Sequence, residues 1–172
     1  MQRPLNNSTK NLASILSVVG ATSAMNQEEL YSIEITGVSQ TSSSIVAGDI
    51  FVALPGENFH GADFALDAVA KGAVAVLSDA LGASKISGVP VLISSNPRRS
   101  AGVLSAWFYG EPMRDLYSIG ITGTNGKTTV TTLLHQIMQA AGRDSGLIGT
   151  VETRIGSEAL SSKRTTPESS EL

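Results

Sequence analysis

The sequence feature that most constrains the fold is a glycine-rich run between an apolar segment and a helical pattern. Residues 120–129 read GITGTNGKTT, after the apolar segment 116–121 and before an amphipathic stretch at 130–141. A strand, a glycine loop and a helix in that order are the context of a phosphate-binding loop. Such loops belong to α/β folds with largely parallel sheets, and the run therefore predicts an α/β fold for this chain.

The residue types in the run indicate the chemistry of the ligand. Glycines let backbone N–H groups close around phosphate oxygens, because no Cβ blocks the approach. Lys127 can reach the β- and γ-phosphates, and the Thr128 hydroxyl can ligate Mg²⁺. Ile121 stands where the general pattern has its first glycine. The alternative is a ligand-free turn, but the added lysine and hydroxyl favour a nucleoside triphosphate.

Composition and charge exclude several classes of function. The 172 residues are 41% hydrophobic and 16% charged, which predicts a folded chain. The net charge of −3 argues against a general nucleic-acid binder. Because the sequence has no cysteine, it forms no disulfide, thiolate metal site or cysteine nucleophile. With two histidines, a histidine-rich metal site is disfavoured.

The N-terminal segment 12–24 allows two interpretations. It superficially resembles a signal peptide, with basic residues before an apolar run and small residues after it. The spacing of Leu12, Ile15, Leu16 and Val19 instead predicts an amphipathic helix, which we favour. No segment approaches the roughly 20 apolar residues of a membrane span. We therefore expect a cytoplasmic protein that has no membrane partner.

Short apolar strands alternate with helical segments over the first part of the chain. The helical segment is 62–71, which Gly72 would end. The predicted strands are 31–35, 49–54, 73–77 and 90–93. This alternation predicts a small α/β domain over residues 1–96, with a largely parallel sheet.

A second domain is predicted over residues 97–172. It contains a helix at 98–109, the strand and loop described above, a helix at 130–141 and a further strand at 145–151. The inner face of the helix after the loop is predicted to consist of Leu133, Leu134, Ile137 and Met138. So few strands do not close a parallel sheet. We therefore expect this domain to be incomplete. The chain would be the front part of a longer protein, and this part would be inactive by itself.

Several segments together resemble the Mur ligases, which use ATP to add amino acids to a UDP-N-acetylmuramoyl peptidoglycan precursor. Residues 122–129 are similar to the ATP loop of that family, and residues 37–64 resemble its N-terminal UDP-binding domain. Residues 165–168 resemble a substrate loop of the members that add the third amino acid. The resemblance implies that this amino acid, meso-diaminopimelate or L-lysine, is joined to UDP-N-acetylmuramoyl-L-alanyl-D-glutamate.

The resemblance also implies roles for individual residues. Lys127 and Thr128 would be the catalytic residues, with Thr128 near Mg²⁺. The ATP-binding residues would be Gly123, Thr124, Asn125, Gly126, Lys127, Thr128 and Thr129. The residues implied to bind the UDP-N-acetylmuramoyl-dipeptide are Gln40, Ser42, Glu57, Asn58, Phe59, Arg164, Thr165 and Thr166.

One departure from the family pattern concerns the UDP contact. Thr41 and Ser43 flank Ser42 where the family has Asp and Arg. A serine hydroxyl does not replace the bidentate bonding of a guanidinium to an anion. Two alternatives therefore remain open. One is a nucleotide- or UDP-sugar-binding module without ligase chemistry, and the other is a different Mur or folylpolyglutamate-type ligase.

Overall fold

The computed structural model describes residues 9–160 and Glu168, and the chain divides into two compact units, Met1–Asp115 and Leu116–Leu172. The helices of the first unit are α1 Leu12–Val19, α2 Gln27–Ser32, α3 Ala65–Ala70, α4 Ala80–Ala83 and α5 Pro97–Phe108. Its strands are β1 Lys10–Asn11, β2 Glu34–Ile35, β3 Gly37–Ser39, β4 Asp49–Val52, β5 Ala75–Ser78 and β6 Val91–Ile93. The elements of the second unit are α6 Lys127–Ala140, β7 Gly146–Ile148, β8 Thr153–Ile155 and β9 Glu158–Leu160. The predicted α/β class is confirmed.

The centre of the first unit is a four-stranded parallel sheet with the order β3-β4-β5-β6. Every residue of β4 and β5 is buried, because the sheet is covered on both faces. β4 is the short apolar run predicted at 49–54, and β5 and β6 are the runs predicted at 73–77 and 90–93. The predicted parallel sheet of this unit is therefore confirmed.

Alternate residues of the central strands pack on opposite faces of the sheet. Ile50 and Val52 belong to the core that includes α1 and α5, whereas Phe51 and Val76 belong to the core beside α3. The larger core contains Leu12, Ile15, Leu30, Ile35, Leu77, Leu92, Ala101, Leu104 and Phe108. Helices on both faces of a parallel sheet form a three-layer α/β arrangement.

The N-terminal segment forms the predicted helix. The Asn11 side chain caps α1 by accepting a hydrogen bond from the Ser14 N–H at 2.8 Å. The helix ends at Gly20, whose φ of 62° is left-handed. Leu12 and Ile15 are fully buried, and the helical interpretation is confirmed. Among the helices of residues 9–160, none is both long and apolar enough to cross a membrane.

The strand predicted at 31–35 is wrong in its first half. Residues 27–32 form α2, and only Glu34 and Ile35 are in a strand. The Asn26 side chain accepts from the Glu29 N–H at 2.9 Å, and the Glu29 carboxylate accepts from the Asn26 N–H at 3.1 Å. This reciprocal capping box starts a helix, and it outweighs the short alternating pattern.

The predicted boundary after residue 96 differs from the division into compact units. Helix α5 packs on α1, and its residues Ala101, Leu104 and Phe108 join Leu12 and Ile15 in one core. These apolar contacts keep α5 in the first unit, which extends to Asp115.

The second unit differs from its predicted strands. The segment 116–121 forms no strand, and Tyr117 is 93% exposed. β7, β8 and β9 form an antiparallel meander in place of parallel pairing. A segment becomes part of a parallel sheet only when a neighbouring strand forms hydrogen bonds with its backbone. The described residues of this unit place no such strand beside residues 116–121.

The inner face predicted for the helix after the loop is also partly wrong. Leu133 is 53% exposed and Ile137 is 61% exposed. The buried residue of α6 is His135, whose Nδ1 lies 2.9 Å from the Ser145 Oγ.

Candidate functional site: a glycine loop and two loops at a sheet edge

The glycine loop turns directly into helix α6. Gly123 has a φ of 149° and Gly126 has a φ of 80°, in a region that residues with a Cβ rarely adopt. Gly126 is the residue immediately before the helix, and no side chain caps the helix there. The sequence therefore leaves the first N–H groups of α6 without a side-chain partner, as a helix that binds an anion requires.

The Lys127 ammonium group lies against the loop. Its Nζ donates hydrogen bonds to the Gly123 carbonyl oxygen at 2.5 Å and to the Thr124 carbonyl oxygen at 3.4 Å. The side chain thus folds back over the residues that precede it. This position holds a positive charge within the loop, as phosphate recognition needs.

The backbone of the loop keeps hydrogen-bond donors open. None of the N–H groups from 123 to 126 donates to another described residue. A Cβ built on Gly126 would meet no atom within 4 Å, so the space beside it is open. Open donors, an ammonium group and a helix N-terminus fit an anion such as a polyphosphate.

The fit for Mg²⁺ rests on Thr128. Thr128 is exposed in the first turn of α6, and its hydroxyl oxygen is a hard ligand suited to Mg²⁺. Within the described part of the chain, no group of three His, Cys, Asp or Glu side chains could hold a metal ion. A Mg²⁺ ion at this loop would therefore be held mainly by nucleotide phosphates, the usual arrangement for Mg²⁺ with a nucleotide.

A second candidate region is the loop after β4. The Gly56 N–H donates to the Phe59 carbonyl oxygen at 3.1 Å, and the Gly61 N–H donates to the Leu54 carbonyl oxygen at 2.8 Å. These bonds close the loop and leave Glu57, Asn58 and Phe59 exposed at its tip. Phe59 is 71% exposed, and an aromatic ring in that position is available to stack on a planar ligand.

The buried His60 side chain holds the base of this loop. The ring is buried, its Nδ1 accepts from the Ala62 N–H at 3.0 Å, and its Nε2 lies 3.1 Å from the Asp79 Oδ1. Because Nδ1 is an acceptor, the proton of the neutral ring is on Nε2 and is donated to Asp79. Both ring nitrogens are occupied, so His60 supports the loop and is not free to act on a ligand.

A third region, after β3, contains Gln40 and Ser42. Ser42 begins a short 3-10 turn, Ser42–Ser44. A hydrogen bond from Lys71 is the main cause that lowers the pKa of the Asp67 carboxyl, and a hydrogen bond from Ser42 lowers it further. The Gln40 Nε2 atom is buried without a hydrogen-bond partner among the described residues. The predicted contact Ser42 therefore faces the Asp67 carboxylate and helps to lower its pKa.

The structure brings the two loops of the first unit to one edge of the sheet. β3 and β4 are parallel neighbours, and Gln40 and Ser42 follow the first while residues 57–59 follow the second. The carboxyl ends of parallel strands are where α/β sheets bind ligands. Arg164, Thr165 and Thr166 lie outside the described residues.

Sequence reasoning missed Asp67 as a partner of Ser42. The spacing of Asp67 and Lys71 is the i,i+4 spacing of a helical ion pair, which is a signal for that pair and not for Ser42. The contact with Ser42 could not be foreseen, because it joins α3 to a turn distant in sequence.

Comparison with known families identifies two matching domains. Residues 34–105 match the Mur ligase family, catalytic domain, and residues 121–172 match the Mur ligase middle domain. The two matches lie on either side of the division between the compact units.

The chain is also similar to curated ligases. It is 45% identical over 172 residues to the UDP-N-acetylmuramoyl-L-alanyl-D-glutamate--2,6-diaminopimelate ligase of Streptomyces avermitilis, covering 99% of this chain and 33% of that protein. It is 49% identical over 143 residues to the enzyme of the same name from Streptomyces coelicolor, covering 82% of this chain and 28% of that protein. The chain therefore spans about a third of the length of these relatives.

Solved structures share the fold. The crystal structure of MurF from Acinetobacter baumannii has a TM-score of 0.61 and 24% identity, covering 78% of this chain and 28% of the other. A structure of a UDP-N-acetylmuramoyl-L-alanyl-D-glutamate--2,6-diaminopimelate ligase has a TM-score of 0.63 and 21% identity, covering 88% of this chain and 30% of the other. At these identities the likeness concerns the fold.

Proposed function

Because the chain belongs to the Mur ligase family, we propose that it forms the substrate- and ATP-binding front portion of a peptidoglycan-precursor ligase. The ligase would join a third amino acid to UDP-N-acetylmuramoyl-L-alanyl-D-glutamate in an ATP-dependent reaction. The names of the two Streptomyces relatives support 2,6-diaminopimelate as that amino acid, with L-lysine as the alternative. Such an enzyme would work in the cytoplasm and serve cell shape and division.

The observation that carries the ATP assignment is the position of Lys127. Its ammonium group lies on the loop carbonyl oxygens of Gly123 and Thr124, beside open N–H groups at the start of α6. On phosphate binding, Lys127 would exchange these carbonyl oxygens for phosphate oxygens. The ATP-binding residues we propose are the seven predicted from the sequence, 123–129.

The chemistry of the reaction is phosphoryl transfer followed by amide formation. ATP would activate the substrate carboxylate as an acyl phosphate, and the amine of the amino acid would then displace phosphate. The residues of this chain would bind and orient the triphosphate and neutralise its charge, through Lys127, the loop N–H groups and a Mg²⁺ ion bound to Thr128. Positioning and charge neutralisation supply most of the catalysis in phosphoryl transfer.

The UDP part of the substrate is proposed to bind at the sheet edge of the first unit. Phe59 would cover the uridine ring, and Gln40 would use its unpartnered buried Nε2 atom as a donor. Glu57, Asn58 and Ser42 would complete this site. Arg164, Thr165 and Thr166 are proposed to hold the muramoyl-dipeptide on the resemblance alone.

Calorimetry on the chain with ATP and Mg²⁺ tests the ATP assignment. Lys127→Ala should abolish binding, whereas Lys85→Ala, which removes only a surface ion pair with Asp63, should leave it unchanged. Thr128→Ala should weaken the Mg²⁺-dependent part of binding. Thr131→Ala is its matched control, because the Thr131 hydroxyl already bonds to helix carbonyl oxygens. Equal binding by Lys127→Ala and the unmodified chain would refute the assignment.

A nucleotide-binding module without ligase chemistry is the second candidate. The observation that favours it is the absence of the flanking Asp and Arg, replaced by Thr41 and Ser43. Titration of the chain with UDP-N-acetylmuramoyl-L-alanyl-D-glutamate separates the two. Binding of both this precursor and ATP supports the ligase portion, and binding of ATP alone supports the module.

A further inference from the structure

The glycine loop contains the one Asn-Gly pair of the sequence. Seven asparagines occur in the 172 residues, and only Asn125 is followed by glycine. Asn125 and Gly126 are both exposed. The pair therefore lies in water at the site proposed to bind phosphate.

We propose that Asn125 is a site of spontaneous deamidation, and that nucleotide in the loop suppresses it. The Gly126 amide nitrogen, after losing its proton, attacks the side-chain carbonyl carbon of Asn125. A five-membered succinimide forms, and the side-chain nitrogen leaves as ammonia. Water then opens the ring at either carbonyl, which gives aspartate or isoaspartate. The reaction is a net hydrolysis and needs no oxidant or reductant.

The local structure leaves the nucleophile free. The Gly126 N–H donates no hydrogen bond to a described residue, so no bond must break before the attack. Glycine presents no Cβ to obstruct the ring, and a Cβ built there would meet nothing within 4 Å. The features that open the loop to phosphate thus also open it to this reaction.

The other asparagines of the described region are better protected. The side-chain oxygens of Asn11, Asn26 and Asn96 each accept a hydrogen bond from a helix N–H. Asn96 also precedes Pro97, which has no N–H. Asn58 is exposed but is followed by Phe59, whose side chain crowds the ring. Asn58 is therefore the internal control for exposure.

The product would oppose nucleotide binding at the proposed site. A carboxylate at position 125 adds a negative charge two residues before Lys127, where the triphosphate charge must also be placed. Isoaspartate also lengthens the main chain of the loop by a methylene group. This part of the inference rests on the proposed ATP site, whereas the chemical reactivity of Asn125 does not.

The experiment follows deamidation by peptide mass spectrometry. The full chain is incubated in mildly alkaline buffer, with and without ATP and Mg²⁺, and digested with trypsin together with a protease that cleaves after glutamate. Residues 58–71 are then released with Asn58 as their one asparagine. Cleavage after Arg114 and Lys127 releases residues 115–127, which contain Asn125 and no other asparagine. We expect the amide-to-acid mass increase and methylation by an isoaspartyl methyltransferase in this peptide. Both should arise several-fold faster than the mass increase at Asn58 and should be slowed several-fold by ATP.

The variants separate the parts of the inference. Asn125→Gln should abolish the change in peptide 115–127, because the larger ring forms slowly, and Asn125→Asp should bind ATP more weakly than the unmodified chain. If Asn125 deamidates no faster than Asn58, the proposal that Asn125 is a deamidation site is overturned. If calorimetry shows that the chain binds ATP but ATP does not slow the deamidation of Asn125, the proposal that nucleotide suppresses the reaction is overturned. A chain that converts rapidly but binds no ATP would support the site while refuting the proposed function.

Discussion

His60 Nε2 lies 3.1 Å from Asp79 Oδ1, and this contact joins the exposed loop after β4 to the start of α4. The same carboxylate oxygen accepts the Gly82 N–H at 2.6 Å and so caps the helix. One buried imidazole therefore holds a helix N-terminus and the base of a candidate substrate loop together.

Replacing His60 with Ala should destabilise the first unit. The substitution leaves the Ala62 N–H without its acceptor and opens a cavity, and an unsatisfied buried group costs about 1 to 3 kcal/mol. Urea unfolding measures the free energy of unfolding. Asn58→Ala, at the exposed tip of the same loop, should change that free energy by less than about 0.5 kcal/mol. Equal stability of the two variants would contradict the anchoring role.

Gly82→Ala should also destabilise the first unit, because the residue packs against His60. A Cβ at Gly82 would lie 2.1 Å from the Ser78 Oγ and 2.5 Å from the His60 Cε1. Ser78 is fully buried and bonded to the Ala53 carbonyl oxygen, so it has no room to withdraw. Overpacking of this kind costs about 1 to 3 kcal/mol, which exceeds the gain in helix propensity of at most about 1 kcal/mol.

Thermal unfolding followed by circular dichroism checks this prediction. Gly120→Ala is the control, since a Cβ there would meet no atom within 4 Å, and its melting temperature should be unchanged. A Gly82→Ala variant as stable as the unmodified chain would show that the contact at Ser78 relaxes freely.

Ser42 should lower the pKa of the Asp67 carboxyl by donating a hydrogen bond to the carboxylate. Lys71 is the larger cause and Ser42 the second, and a bond to the ionised form favours that form. The pKa of Asp67 should therefore rise in Ser42→Ala and rise further in Lys71→Ala. Carboxyl chemical shifts followed by NMR during an acid titration measure both.

The direction of the Asp67 pKa shift also gives the sign of the pH dependence of the folding stability. A carboxyl with a lowered pKa stabilises the folded state above its ordinary pKa, and that contribution is lost as the pH falls through the folded-state value. The ion pair is exposed, so salt should weaken the effect. Ser43→Ala removes a neighbouring exposed hydroxyl and should leave the pKa of Asp67 unchanged. An equal rise in Ser42→Ala and Ser43→Ala would contradict the assignment.

Short-range patterns were sufficient to predict most of the first unit. The apolar runs that became β4 and β5 are buried on both faces, and continuous apolar runs are typical of such strands. The strand prediction at 31–35 is wrong because alternation over five residues is a weak signal, whereas the capping pair of Asn26 and Glu29 is a strong local one.

In the second unit and the candidate site, some burial and some contacts could not be predicted from local sequence patterns. The exposed Leu133 and Ile137 have the spacing of a core face, but spacing does not specify which other segments cover a helix. The glycine loop could be proposed as a phosphate site from the sequence, because a site of this kind depends on consecutive residues. The contacts of Ser42 with Asp67 and of His60 with Asp79 join segments distant in sequence, so they required the fold.

Two buried serines of α5 should respond oppositely to replacement by alanine. The Ser105 Oγ has no hydrogen-bond partner among the residues that the structure describes, whereas the Ser100 Oγ lies 2.8 Å from the Ser94 Oγ. Ser105→Ala removes an unsatisfied polar atom and should stabilise the first unit by about 1 kcal/mol, while Ser100→Ala should destabilise it by a similar amount. Both sites are nearly fully buried in one helix, so the gain in helix propensity is common to both variants. Urea unfolding of the two variants and the unmodified chain measures the difference, and a Ser105→Ala variant less stable than Ser100→Ala would show that the Ser105 hydroxyl has a partner.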